Sequence, residues 1–536
     1  MLSRLSGRPV VSRVAFGAAR LAENRGGVGG VGGEQGAAKA AEAALAHALA
    51  RGVALIDTAA SASNGGSEAA IGRALDATPG ARASVSIVSK FGYRLLDPAE
   101  GAQDAEGAEG AEGAEGAEGA ALLPPCSVPV GPGVVSCFDP AFLRSELTGS
   151  LARLRADSVA AYLLHDPECH LEHALPLKAG TDLDEASIKA CGDAFMSDVI
   201  LPSFIALEEE VQRGRTKSYG VSSKSFCFPS MHPHHISIDA LLATAAEAYA
   251  QVHGESSDDS ARPHGKSSLA VVQLPMNPFE TGGLDFAEEA RTRHDLHVMT
   301  MRPLSAVDKQ GMWRIVDDNE LIAPSSTSQS SSGEEPVYQL PAVERMRDAR
   351  NAAFAHFDPP PPENPAAPTE DELEVVEACA FLCALVRDMD GEIGQFTSFQ
   401  HYEQNIVEGI LPMLDGRIEG MDEDSVGVLQ NFFEAYGNAV RAVVPLKTRQ
   451  RMQSVLDPLS SSGDDSALGG ADIGDLSLQR TQTHSLDHDM SMQQYALEWI
   501  GRVPCVDTTV VGMTRVEHVD QALDAMASNT VTSNQE

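Results

Sequence analysis

Three polar residues that can take part in proton transfer close three apolar stretches in the first third of the chain. Asp57 lies in GVALIDTAA, Lys90 in SVSIVSKFGY and His165 in VAAYLLHDPE. Each stretch is rich in Val, Ile and Leu, as is typical of a strand buried on both faces. A carboxylate, an ammonium and an imidazole in one site can orient and protonate a substrate oxygen.

Each residue also has a structural interpretation. Asp57 could cap the helix that follows it, and a His at the end of a strand is often a hydrogen-bonded core residue. Lys90 is harder to explain as structure, because an unpaired ammonium is costly to bury. The pattern therefore favours an Asp57–Lys90 pair in a shared site with His165.

The elements that position these residues alternate between strands and helices. Strands are predicted near residues 13–17, 53–57, 84–90, 159–164, 217–221, 269–273, 296–301 and 507–511, with helices between them. This alternation predicts a parallel sheet with right-handed crossovers. Eight such units form a (β/α)8 TIM barrel, whose active sites lie at the C-terminal ends of the strands.

The chain is about twice the length of a simple barrel, so insertions must interrupt it. Residues 21–36 are Gly-rich and are predicted to form a loop, and residues 99–136, with a tandem Ala-Glu-Gly repeat, are predicted to be disordered. The largest insertion follows the seventh strand and has low-complexity edges. Its centre carries a helical apolar stripe that includes Leu429, Phe432 and Tyr436, which predicts a packed helical subdomain.

The order of Asp57, Lys90 and His165 at successive strand ends resembles the aldo-keto reductases. The resemblance implies a catalytic set of Asp, Tyr, Lys and His, in which a Tyr hydroxyl protonates the carbonyl oxygen, the Lys lowers the Tyr pKa and the Asp holds the Lys. The family's Tyr follows the Asp by five residues, and that position here is Ala62. Tyr93, three residues after Lys90, is the candidate replacement acid.

Further strand ends extend the resemblance to a cofactor site. GVSSKSF resembles the turn that contacts the nicotinamide amide, LAVVQLPMN supplies the second amide contact, and VMTMRPLSA and VVGMTR resemble the seventh and last strands. The basic position that clamps a 2′-phosphate falls on Thr514, with Arg515 one residue later, so NADP is favoured over NAD. The cofactor-binding residues that the resemblance implies are Ser222, Ser223, Gln273, Met301, Arg302, Gly512, Met513, Thr514 and Arg515.

These features predict four regions. The first seven strands span 9–305, with the disordered insert at about 99–136, and the helical insertion spans 306–490. The last barrel strand and the cofactor-binding helix span 491–527, and 528–536 form a tail.

The resemblance implies an NADP(H)-dependent oxidoreductase that reduces an aldehyde or ketone, or oxidises the alcohol, by hydride transfer. The replacement of the Tyr leaves a second hypothesis from another class. In it the chain is an NADP(H)-binding pseudoenzyme that acts as a redox sensor, or as a scaffold for a protein partner of the helical insertion.

Composition narrows the classes of partner. The net charge is −38, with 77 acidic and 39 basic residues, which argues against nucleic-acid binding. Eight Cys at irregular spacings are typical of free thiols in a reducing compartment, and the His and Cys spacings predict no metal site. No apolar stretch reaches the length of a membrane span. We therefore expect a cytoplasmic protein, although the Arg-rich first residues are also compatible with organellar import.

Overall fold

The computed structural model describes the greater part of the chain. The described residues are 13–21, 34–96, 126–131, 133–177, 183–254, 267–308, 311–317, 340–358, 369–393, 395–414, 421–456 and 490–527. The chain divides into two compact units, one of residues 1–303 with 497–536 and one of residues 304–496. Residues 99–125 of the predicted 99–136 insert, most of the Gly-rich loop and the 528–536 tail lie outside the described residues.

Eight parallel strands close into a barrel in the first unit, in the order β1-β13-β10-β9-β8-β7-β3-β2. They are β1 (Val14–Gly17), β2 (Leu55–Asp57), β3 (Ser86–Phe91), β7 (Ala161–His165), β8 (Tyr219–Ser222), β9 (Leu269–Pro275), β10 (His297–Met301) and β13 (Thr508–Gly512). The predicted (β/α)8 barrel is confirmed, and each of the eight predicted strands lies within a few residues of an observed one.

Helices follow most of these strands and cover the barrel. They are α1 (Glu34–Ala50), α2 (Gly66–Ala77), α3 (Ala81–Ser84), α4 (Pro140–Leu154), α5 (Cys169–Ala174), α6 (Glu185–Phe195), α7 (Leu201–Gln212), α8 (Ile238–His253), α9 (Leu284–Thr292), α15 (Met492–Gly501) and α16 (Val516–Ala527). Local capping explains several of their starts: the Asp139 carboxylate accepts from two amides of α4, and Pro140 occupies its first turn.

A small antiparallel sheet accompanies the barrel strands, and it corrects one prediction. Its strands are β4 (Tyr93–Leu95), β5 (Ser127–Gly131) and β6 (Val134–Cys137), in the order β4-β6-β5. The described residues at the end of the segment predicted to be disordered, 127–131 and 133–136, are therefore ordered, which corrects that part of the prediction. Val135 and Cys137 of β6 are buried, and β6 pairs with β4 through Val135 and with β5 through Cys137, so these residues have a surface to pack on.

The helix that leads into β8 corrects the prediction that no apolar stretch reaches the length of a membrane span. Residues Glu185–Gln212, made of α6, a π-helical turn (Met196–Ile200) and α7, are long and apolar enough to cross a membrane by length and composition. Phe204 and Leu207 of α7 are fully buried, and the Phe204 ring contacts the Tyr219 ring of β8 at 4.9 Å. Its apolar face is thus a barrel-covering face.

The second unit holds a helical core and a hairpin. The elements are β11 (Ser305–Asp308), β12 (Gly311–Arg314), α10 (Pro341–His356), α11 (Glu370–Glu392), α12 (Phe399–Gln404), a π-helix (Asn405–Ile410), α13 (Leu411–Leu414) and α14 (Glu423–Leu456). Leu429, Phe432 and Tyr436 lie in one buried cluster with residues of α10 and α11, as the apolar stripe predicted. The β11–β12 hairpin was not predicted.

Candidate active site

The site residues form the last interior layer of the barrel. Leu55, Val88 and Leu163 belong to the cluster of core residues inside the barrel. Since side chains alternate along a strand, the residues two positions later point the same way. Those residues are Asp57, Lys90, His165, Gln273, Met301 and Gly512, each two positions after a member of the cluster. Strand alternation therefore brings six of the predicted catalytic and cofactor residues to one end of the barrel.

A buried ion pair lies in this layer. The Lys90 Nζ atom is 2.7 Å from Asp57 Oδ2 and also donates to the Thr58 carbonyl oxygen at 2.9 Å. Asp57 is 7% exposed and Lys90 is 5% exposed, so water screens the pair weakly. The partner that burial of Lys90 requires is thus the one that the sequence predicted.

An amide and a hydroxyl continue the hydrogen-bonded chain. Gln273 Nε2 donates to Asp57 Oδ1 at 3.1 Å, and Ser222 Oγ donates to Gln273 Oε1 at 2.8 Å. The Ser222 hydroxyl is also 3.9 Å from the Met301 sulfur. These contacts join five of the predicted residues into one network that begins at the ion pair.

His165 ends β7, the strand next to β3, and its nearest carboxylate is that of the following residue, Asp166. Its Nε2 atom is 3.7 Å from Asp166 Oδ2, and its buried Nδ1 atom has no hydrogen-bond partner within the described part of the chain. Burial lowers the pKa of His165, and the Lys90 charge acts in the same direction, whereas the Asp166 and Asp57 carboxylates oppose this shift. The ring of Tyr93 packs edge-on against the imidazole, with centroids 5.1 Å apart.

Tyr93 is held by Asp166 and not by Lys90. Its hydroxyl donates to Asp166 Oδ2 at 2.7 Å, and burial, followed by the Asp166 charge, raises the pKa of the phenol far above its usual value. The sequence predicted Tyr93 as a replacement for the acid that a neighbouring Lys activates. The structure instead places it where a carboxylate stabilises the protonated phenol.

The position of the family's Tyr holds a methyl group in a tight turn. Ala62 is half-buried, its amide donates to the Ala59 carbonyl oxygen, and its own carbonyl oxygen accepts from the Ser67 amide. Ser63 follows with a positive φ of 50° and a buried hydroxyl that has no partner in the described part of the chain. A small side chain therefore stands at this position, in a turn held by its own backbone hydrogen bonds.

Glu168 is a site residue that sequence reasoning missed. Its side chain is fully buried, and it accepts from the Ser223 hydroxyl at 2.7 Å and from the Lys224 amide at 2.9 Å. Burial, reinforced by the nearby Asp166 charge, raises the pKa of Glu168 to about 7. The Ser223 hydroxyl, which was predicted to contact the nicotinamide amide, is thus hydrogen-bonded to the Glu168 carboxylate. The only sequence signal was an acidic residue three positions after His165.

Arg302 is also engaged within the protein. Its guanidinium forms an ion pair with Glu280 at 2.9 Å, and its carbonyl oxygen accepts from Asn277 Nδ2 at 3.1 Å. Its backbone adopts a positive φ of 56°, which turns the chain sharply after β10. The predicted cofactor contact at Arg302 therefore competes with a protein carboxylate.

The turn between β13 and α16 has the properties of an anion site. Gly512 is exposed, and a Cβ placed there would meet nothing within 4 Å. Met513 is buried, Thr514 is half-buried, and Arg515 is exposed directly before the first residue of α16. The start of a helix carries unpaired amides and a partial positive charge, so the turn combines open space, amides and one guanidinium.

No group of three or more His, Cys, Asp or Glu side chains able to hold a metal ion occurs among the described residues. Two of the sequence's loop histidines have protein partners: His234 Nε2 lies 2.8 Å from the Leu175 carbonyl oxygen, and His235 Nδ1 lies 2.9 Å from that of Phe228. Their hydrogen bonds fix the loop after β8.

Comparison with known proteins relates the first five strands of the barrel to one family. The model of the aldo/keto reductase family matches residues 13–228, and no curated protein matches the chain. Three similar solved structures are a glycerol dehydrogenase from Gluconobacter oxydans (14% identity, 98% of this chain and 91% of that one, TM-score 0.39), an aldo-keto reductase from Bacillus halodurans in its holo form (16%, 63% and 73%, 0.32) and an aldo-keto reductase from Klebsiella pneumoniae in complex with NADPH (18%, 56% and 67%, 0.30).

These TM-scores are low, so the assignment rests on the family model and not on the structural likeness. That model covers the strands that carry Asp57, Lys90 and His165 and ends just after the turn of Ser222 and Ser223. The chain therefore contains a domain of the aldo/keto reductase family, matched over residues 13–228.

Proposed function

We propose that this protein is an NADP(H)-dependent oxidoreductase that reduces an aldehyde or ketone, or oxidises the corresponding alcohol. The observation that carries the proposal is the buried Asp57–Lys90 ion pair in the same interior layer as His165. A buried ammonium is costly in a barrel that has only a structural task, and the pair faces the end of the barrel where this fold places its chemistry.

The residues present fit a nicotinamide dinucleotide. Ser222 and Gln273, which are hydrogen-bonded to each other at the strand ends, would contact the nicotinamide amide with the hydrogen-bonding capacity that this bond leaves. Arg515 with the start of α16 would form the anion site for a 2′-phosphate. When bound, the reduced cofactor supplies a hydride. Met301 would lie beside the ring, where a thioether covers a flat surface without stacking as an aromatic does.

The chain's own residues would then act on the substrate oxygen. His165 Nε2 would contact that oxygen, since Nδ1 is buried and Nε2 lies on the side of the half-exposed Asp166. The Lys90 ammonium would stabilise negative charge that develops on the oxygen, and Asp57 would hold the ammonium in place. Burial of the pair strengthens this effect because the local dielectric is low.

Cofactor binding tests the proposal first. We expect NADPH binding to quench the intrinsic fluorescence of the protein. Arg515→Ala should weaken NADPH binding about tenfold and leave NADH binding unchanged, because the guanidinium would contact only the 2′-phosphate. Arg293→Ala removes an exposed Arg before β10, at the opposite end of the barrel, and is the matched control. If Arg515→Ala weakened the binding of NADPH and NADH equally, Arg515 would not be a contact of the 2′-phosphate. Absence of binding of either cofactor to the full chain would overturn the proposal.

Ala62 favours a second candidate function. Without a phenol beside Lys90, the barrel could bind NADP(H) as a redox sensor, or as a scaffold that presents the second unit to a protein partner. A panel of small aldehydes, ketones and alcohols separates the two: cofactor binding without turnover of any of them would favour the sensor or scaffold. A cytoplasmic location remains a prediction from the Cys content.

A further inference from the structure

The site contains a set of contacts for which the family's catalytic scheme has no place. Asp166, directly after His165, has a positive φ of 51°, which brings its carboxylate back over the imidazole. The Tyr93 hydroxyl donates to the same oxygen, Oδ2, that faces His165 Nε2. Tyr93 lies on β4, outside the barrel, so two separate elements converge on one histidine.

We propose that His165 is the proton donor in carbonyl reduction, that Asp166 is the residue that charges and positions it, and that Tyr93 anchors Asp166. The inference rests on the proposed function and names the acid that stands in for the family's Tyr.

The distances suit this division of roles. At 3.7 Å the Asp166 carboxylate is too far from Nε2 for a direct hydrogen bond, yet close enough to stabilise an imidazolium. The Nε2 proton is therefore available to a substrate oxygen. The 2.7 Å bond from Tyr93 holds the carboxylate at this separation, and the edge-on Tyr93 ring packs against the imidazole.

The charges around His165 are mixed. Lys90 on β3 disfavours the imidazolium, whereas Asp57 on β2 and Asp166 on the loop after β7 favour it. Glu168, further along that loop, adds negative charge when it is ionised. Asp166 is the nearest carboxylate that is not already paired with Lys90, so it is the group that most directly sets the charge of the imidazole.

The step balances. As the carbonyl carbon gains the hydride, the electron pair of the C=O π bond moves onto oxygen. The oxygen takes the proton from Nε2, the electrons of the N–H bond stay on the ring, and His165 is left neutral. The reduced nicotinamide of the proposed function is the reductant, and water reprotonates His165 for the next turnover.

The test uses Asp166→Asn in the full chain, because Asn tolerates the same left-handed backbone. Asp295→Asn is the matched control: Asp295 has a φ of 47° and an ion pair with Arg291, and it lies before β10 at the other end of the barrel. The first readout is the pKa of His165 by NMR without cofactor, with its signal assigned by its loss in His165→Gln.

We expect Asp166→Asn to lower the pKa of His165 by about one and Asp295→Asn to leave it unchanged. Reduction requires the protonated imidazole, which is present below the His165 pKa and lost as the pH rises through it. The falling limb of the pH–rate profile should therefore shift to lower pH by the same amount. At a fixed pH above the His165 pKa, the rate of Asp166→Asn should be about tenfold below that of the parent. Tyr93→Phe should keep measurable activity, because the phenol is an anchor.

An unchanged His165 pKa in Asp166→Asn would overturn the pairing. Complete loss of activity in Tyr93→Phe with an unchanged His165 pKa would overturn the donor role and make Tyr93 the acid. If the pKa shifts as expected but the wild-type chain binds no NADPH, the proposed function fails, and the donor role fails with it, while the pairing stands.

Discussion

At the scale of single residues, Ala62 decides how far this site departs from its family. By the resemblance to the family, a Tyr at this position would place a phenol beside the Lys90 ammonium, whose charge favours the phenolate and eases proton exchange. The turn that carries Ala62 is held by backbone hydrogen bonds on both sides, so the change adds a side chain without altering the backbone donors.

We expect Ala62→Tyr to raise carbonyl reduction by about 10²-fold and to extend it to higher pH, because the new acid does not depend on His165. Steady-state rates across a pH series measure both effects. Ala62→Phe, which adds the ring without the hydroxyl, should give no gain, and Lys90→Met should remove the gain of Ala62→Tyr. A gain in Ala62→Phe equal to that in Ala62→Tyr would show that the ring acts by packing.

Glu168 makes stability depend on pH in a direction opposite to that of a paired surface carboxylate. Its pKa of about 7 in the folded chain lies above the usual Glu value of 4.5, so the folded state holds a proton that the unfolded state releases. Stability is therefore lost as the pH rises from about 4.5 to about 7.

Glu168→Gln should remove this loss, because a neutral amide oxygen still accepts from Ser223 and Lys224. We expect the thermal midpoint of the variant to exceed that of the parent by a few degrees at pH 8 and to match it near pH 4.5. Scanning calorimetry at the two pH values measures the difference. A variant less stable than the parent at pH 8 would mean that the ionised form is the one the protein stabilises.

At the scale of elements, the three-stranded sheet determines where Tyr93 lies. Gly92 joins β3, which carries Lys90, to β4, which carries Tyr93, and it adopts a φ of 145°. A Cβ at this position would lie 2.7 Å from the His165 carbonyl oxygen and 2.9 Å from the Phe138 ring. Any residue with a Cβ would therefore be strained at position 92.

Gly92→Ala should destabilise the barrel unit by about 1–3 kcal/mol through this strain and contact. It should also disturb the Tyr93–Asp166 bond and thereby the His165 titration. Denaturant unfolding and the NMR titration measure the two effects. Gly131→Ala, on β5 of the same sheet, meets nothing within 4 Å and is the control, with little expected change. Equal losses of unfolding free energy in Gly92→Ala and Gly131→Ala would show that any substitution in the sheet has this effect.

At the scale of the whole molecule, each unit has a hydrophobic core of its own. The second unit's core cluster contains residues of α10, α11 and α14, with Phe432 and Tyr436 fully buried. The Tyr436 hydroxyl donates to the Met389 carbonyl oxygen at 2.5 Å, which satisfies its only polar group.

Phe432→Ala should lower the free energy of unfolding of the second unit by about 3–5 kcal/mol. Hydrogen exchange followed by mass spectrometry should show faster exchange in peptides of α10, α11 and α14, with protection retained in the barrel strands. Phe433→Ala, at a partly buried position on the same helix, should have a smaller effect. Loss of protection throughout the barrel would show that the two cores unfold together.

The sequence by itself determined the barrel and the main members of its interior layer. Apolar strands with a polar final residue are a local pattern, and the two-residue alternation of a strand relates Asp57, Lys90 and His165 to the core residues that precede them. The burial cost of an ammonium also pointed to Asp57 as the partner of Lys90 before any geometry was available.

Only the tertiary structure decided which hydrogen bonds the loop residues make. Tyr93 and Asp166 are 73 residues apart, and Ser223 and Glu168 are 55 apart. No local periodicity relates such pairs, because each depends on the register of the β4–β6 sheet or on a turn with a positive φ. The sequence could therefore predict which polar residues lie near the barrel mouth. Only the fold showed that Tyr93 bonds to Asp166 and Ser223 bonds to Glu168.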